Sequence, residues 1–151
     1  MRFIMLLSLV CCLFSCKAQK SLAGEEIEDL VLVAQDGYSG VMEYDAMAIR
    51  DTKSLNKFYS QINKTRKPGL PAPMIDFSKE MAIVVCLGEQ RGERMPILSK
   101  TTETEDELTI AVELTDLKTT KNIEATPILY PFYLYKMPLT VKSLSFQKTG
   151  W

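Results

Sequence analysis

The chain has no histidine, and three of its four cysteines fall within the first sixteen residues. Without histidine, acyl-transfer triads and the commonest zinc sites lack their parts. Beyond that opening segment the one thiol is Cys86, in Ala82-Ile83-Val84-Val85-Cys86-Leu87. A single thiol rules out an intramolecular disulfide. With no histidine to act as its base, it reads as a small buried hydrophobe rather than a nucleophile. Charge of one sign is also missing, with 18 basic residues against 19 acidic. So even a balance gives no basis for binding nucleic acid or for electrostatic docking to a membrane. Nor is the N-terminal apolar stretch long enough to span. Phe3 to Phe14 covers about 18 Å at helical rise, against the roughly 30 Å of a hydrocarbon core.

What the N-terminus does have is the layout of an export signal. Met1 and Arg2 precede that apolar run, which ends on Ser15-Cys16, and polar sequence follows from Lys17. Two export readings stand. In an ordinary secreted protein, cleavage would follow Ala18, with Cys16 and Ala18 as the small residues of an A-x-A-like site. In a lipoprotein, Leu13-Phe14-Ser15-Cys16 would be a lipobox, and the Cys16 thiol would carry diacylglycerol as the first residue of the mature chain. Phe14 is bulky for a lipobox, but Ser-Cys at the end of the apolar run favours lipidation. The expected division is a signal peptide at 1–15, a tether at 16–25 and a single β-rich domain at 26–151. The product would be an exported cell-envelope protein held on a membrane, the outer membrane by preference. Losing Arg2 with the signal leaves 17 basic against 19 acidic residues, a balance of −2.

The remainder reads as α+β but β-rich: a mostly antiparallel sheet or sandwich of about seven strands, with one amphipathic helix covering it. Leu108, Ile110, Val112 and Leu114 alternate with polar or small residues, the clearest period-two pattern in the chain. Met81 to Leu87 is apolar at every position, as a strand buried on both faces requires. Asp51 offers an N-cap, after which Leu55, Phe58, Tyr59 and Ile62 recur on one helical face. Further strands are expected over Ile27–Val33, Val41–Arg50 and Met95–Lys100. Pro131 should confine Ile128–Tyr135 to an edge or a bulge. Opposite phases in 139–141 and 144–146 suggest a bulge near Lys142-Ser143. Lys64-Thr65-Arg66-Lys67 reads as a solvated helix end.

Ile75-Asp76-Phe77-Ser78-Lys79-Glu80-Met81, followed by Val84-Val85-Cys86-Leu87-Gly88-Glu89, resembles the opening of the PrcB C-terminal domain family. The order of elements is similar from about Pro73 to Lys148, with Tyr130-Pro131-Phe132-Tyr133-Leu134-Tyr135 where the family has its aromatic strand. The resemblance implies a lipoprotein subunit that accompanies a cell-surface protease, and with the lipobox it has the look of a Bacteroides-group lipoprotein. The family's Gly-Gly-Tyr hairpin is absent; Gly88 to Ile97 carries Arg91-Gly92-Glu93 and Met95-Pro96 instead.

Two groups remain as candidate sites. Gln90, Arg91, Glu93 and Arg94 lie in a glycine-flexed loop, where arginine suits a partner-facing tip. Tyr130, Tyr133 and Tyr135 alternate along the aromatic strand, where they either form a binding surface or close over the core. The acidic clusters Glu25-Glu26-Glu28-Asp29 and Glu103-Glu105-Asp106-Glu107 lack a suitably placed glycine for a calcium loop and read as solvated turns. No catalytic residue, metal site or cofactor is expected. The sequence therefore favours a non-enzymatic, membrane-anchored accessory module that binds an envelope protein, a protease being one class of partner. The alternative is a glycan- or small-molecule-binding surface lipoprotein.

Overall fold

A computed structural model describes residues 24–117 and 127–151. The segment expected to be a signal peptide, Cys16 and most of the expected tether therefore lie outside the described residues. Among the described residues ten strands and one helix follow in the order β1 (Glu25–Glu26), β2 (Val31–Asp36), β3 (Asp45–Ile49), α1 (Thr52–Ile62), β4 (Glu80–Cys86), β5 (Gln90–Arg91), β6 (Arg94–Glu103), β7 (Glu107–Asp116), β8 (Ile128–Leu129), β9 (Phe132–Pro138) and β10 (Ser143–Thr149). Seven of the strands have five residues or more, and three are two-residue pieces. The architecture is a β-sandwich with one covering helix. One sheet has the order β1-β6-β7-β10 and the other β2-β9-β4-β3, while β5 and β8 form a separate ribbon. Pairing is antiparallel except between β7 and β10.

The alternation within β4 explains the layers. Met81, Ile83 and Val85 point into the sandwich, where they meet Leu98, Leu108, Ile110, Val112, Tyr133, Tyr135 and Met137. Ala82, Val84 and Cys86 point the other way, onto Leu55, Phe58, Tyr59 and Ile62 of α1 and onto Phe132 and Leu134. A strand buried on both faces needs apolar residues at every position, and the Met81–Leu87 run supplies them. The helix begins where Asp51 accepts a hydrogen bond from the Ser54 amide at 2.8 Å, satisfying one of the donors left over at a helix start. Phe58 packs edge-on against Phe132 with ring centroids 5.4 Å apart.

Four expectations are corrected. The strand expected over Ile27–Val33 is β2, which starts at Val31 and runs to Asp36, because Asp29 takes φ 54 and turns the chain between β1 and β2. The aromatic strand is no edge: β9 lies between β2 and β4, and Pro131 precedes its first paired residue, so the missing amide costs the ladder nothing. The phase change near Lys142 reflects a turn between β9 and β10. The register shifts fall instead at Leu32/Ala34 and Lys100/Thr102. Finally, the basic stretch after α1 is not all solvated: Arg66 is largely covered and its guanidinium pairs with Asp36. No helix among the described residues is long and apolar enough to cross a membrane.

Candidate functional site

Strand direction gives the sandwich two distinct ends. At one end lie the end of β4, the start of β6 and the start of β9, so Gly88–Glu93, Tyr38 and the β5/β8 ribbon gather there. Backbone hydrogen bonds hold this tip together. Ser39 donates to the Tyr130 carbonyl at 2.6 Å, Leu87 to Pro131 at 3.0 Å, and Leu117 to Glu93 at 3.0 Å. Gly88 is needed for the approach: its φ is +71, and a Cβ there would stand 2.8 Å from the Glu43 carbonyl carbon.

The four loop residues separate. Arg91 is exposed and stands in register opposite Ile128 on the ribbon. Glu93 is exposed and lines an open cleft of about 410 Å³ with Arg94, Gln35, Asp36, Leu117, Leu129 and Tyr133. Arg94 is half-exposed, and its Nε donates to Asp116 at 2.9 Å. Gln90 corrects the sequence reading. It is buried, and its amide donates to the Leu87 carbonyl at 3.0 Å, so it braces the loop from within.

The tyrosines are corrected too. Tyr133 and Tyr135 are 6% and 5% exposed and form no aromatic surface. Both belong to β9, and their hydroxyls cross the sandwich to donate to the Arg94 and Pro96 carbonyls at 2.5 and 2.8 Å. Burial raises the pKa of both phenols, as it does that of Tyr130. Tyr130 alone reaches the surface. It packs edge-on against Tyr38 at 6.1 Å and donates to Glu89 at 3.3 Å.

Sequence reasoning missed the apolar part of this tip: Tyr38, Leu117 and Ile128, each about half exposed. The signal for Tyr38 was legible, since an aromatic set between Gly37 and Gly40 in a turn has no core to enter. Ile128 looked like core because it begins an apolar strand. Only its pairing with the short β5, rather than with a sheet, leaves it in solvent. Arg66 adds to the same end, pairing with Asp36 and bonding the Tyr38 carbonyl.

Cys86 is fully buried, and desolvation followed by the nearby Asp45 charge pushes its thiol up to about 12, against a weaker opposing hydrogen bond from Ser39. Glu103 is held down at about 2 by hydrogen bonds and ion pairs from Lys142 and Lys100 at 2.7 and 2.9 Å. Among the described residues no three acidic or cysteine side chains are grouped to hold a metal ion. Neither family models, curated proteins nor solved structures give a significant match to the chain.

Proposed function

We propose that this protein is a non-enzymatic, lipid-anchored module of the cell envelope that binds a protein partner through the tip around Arg91. One observation carries the reading: Ile128 is exposed directly opposite Arg91, whose loop Gln90 braces from inside, and Tyr38 and Leu117 expose apolar surface at the same end of the sandwich. Exposed apolar groups gathered beside arginine on a held backbone are the composition of a protein-binding surface. Position supports it as well. β1 runs antiparallel to β6, with Glu25 opposite Lys100, so the chain enters the body from the Glu103 end. Arg91 lies beyond the other end of β6, roughly 30 Å along the strand. A lipid on Cys16 would therefore leave the tip facing away from the membrane.

The resemblance of residues 73–148 to the PrcB C-terminal domain family makes an envelope protease one class of partner. The glycan-binding alternative is less well served. Two of its three tyrosines are core, and the Tyr38–Tyr130 pair meets at 90°, which gives a sugar ring no flat platform.

A photocrosslinker placed at Ile128 in cells should yield a discrete protein adduct, and one at Lys57, on the exposed face of α1, should not. Arg91→Glu should abolish the Ile128 adduct without changing the amount of protein. Equal adducts from both positions, or one indifferent to Arg91→Glu, would reject the tip as the binding surface. For the anchor, Cys16→Ala should end incorporation of radioactive palmitate.

A further inference from the structure

The end of the sandwich opposite Arg91 also presents apolar groups to solvent. Leu139 and Val141, in the turn between β9 and β10, are 41% and 99% exposed. The turn is braced on every side. Arg50 donates to the Thr140 carbonyl at 3.4 Å and to that of Lys142. Leu139 donates to Lys79 and Ser143 to Asp106, at 2.7 and 2.8 Å. The Lys142 ammonium sits 2.7 Å from Glu103. Singly exposed aliphatic residues are ordinary on a surface; what marks this pair is where the tether joins the body. Gly24 leads into β1 from the Glu103 end, and Cys16 lies eight residues before it. Eight residues reach at most about 28 Å, less than the length of the sandwich. A lipid on Cys16 therefore holds this end, rather than the Arg91 tip, within reach of the bilayer.

We propose that Leu139 and Val141 dip into the lipid surface to which Cys16 is attached, a second contact that stands the sandwich upright with Arg91 and Ile128 outward. The inference rests on the lipid-anchor reading of Cys16. Interfacial contacts of this kind bury aliphatic side chains about 5–10 Å deep, at the boundary of headgroup and acyl chain. The charges decide the lipid. Lys79 is exposed beside the turn and Arg50 binds its carbonyls, but Glu105 and Asp106 in the neighbouring β6–β7 turn, with Glu107 at the start of β7, oppose anionic headgroups. The fitting surface is zwitterionic.

Val141→Cys in the full lipidated chain takes an environment-sensitive thiol label there, because Cys86 is buried and stays protonated. Ile128→Cys serves as the control. On phosphatidylcholine vesicles doped with nitroxide lipid, the label at 141 should lose most of its emission and the label at 128 almost none. A chain that floats with the vesicles but keeps full emission at 141 overturns the second contact alone. A chain that fails to float overturns the anchor reading, and this proposal with it.

Discussion

Tyr135 sets its hydroxyl 2.8 Å from the Pro96 carbonyl, and Tyr133 sets its own 2.5 Å from that of Arg94, so two side chains of one sheet satisfy backbone of the other. Among the described residues β1 covers β6 only at Ser99 and Lys100, and no other strand flanks residues 94–98 on that side. Such an edge invites pairing with another chain. Here Pro96 removes a donor and the tyrosines occupy acceptors, which makes the edge a poor template. Tyr135→Phe should cost about 1–2 kcal/mol in urea unfolding with an unchanged slope, because the Pro96 carbonyl stays buried without its partner. Cys86 supplies a prediction in pH. Its folded pKa of about 12 lies above the ordinary thiol value of 9.0, so the neutral form is favoured on folding. That stabilisation is complete below pH 9 and is lost as pH climbs from 9 toward 12. The buried phenols of Tyr59, Tyr133 and Tyr135 add to the same alkaline loss from about pH 10. Between pH 8 and 10 the urea midpoint of the native protein should fall, and that of Cys86→Ala should fall less.

Among the elements, α1 is held by its buried face, since one cap and eleven residues make an isolated helix marginal. Phe58 touches both Tyr59 and Phe132, and Phe58→Ala should cost about 3–5 kcal/mol, read as a lowered urea midpoint. The helix, its cap and the two-sided burial of β4 were legible in the sequence because each is written in local periodicity. The places of β9 and β10 were not. Pro131 looked like a strand interior, and only the ladder with β2 and β4 shows that pairing begins one residue later. The parallel match of β10 to β7 joins residues far apart, and no local pattern specifies it. The candidate site divides along the same line. Arg91 on a glycine-flexed loop could be read directly, whereas Gln90 turning inward and Ile128 turning outward depend on contacts between distant segments.

Over the whole molecule, the sheet β2-β9-β4-β3 belongs to two cores at once. Its inner face fills the sandwich, and its outer face carries α1. Neither core can be lost while the other stays intact, because Ile83 and Val84 are neighbours on β4 yet serve opposite sides. Cooperativity should therefore extend across all three layers, as two-state behaviour requires. The chain carries its own reporters. Its single tryptophan, Trp151, donates to the Val112 carbonyl at 2.9 Å and packs against Tyr44 and Lys148, so its fluorescence follows the β1-β6-β7-β10 sheet. Ellipticity at the helical wavelength follows α1, on the far side of the molecule. Urea unfolding curves from the two probes should coincide. They should still coincide after Leu134→Ala, which removes a fully buried side chain from the helix-side core and should cost about 2–5 kcal/mol. Curves that part, with helical signal lost before the tryptophan changes, would mean that α1 is a detachable cover and the shared sheet does not couple the layers.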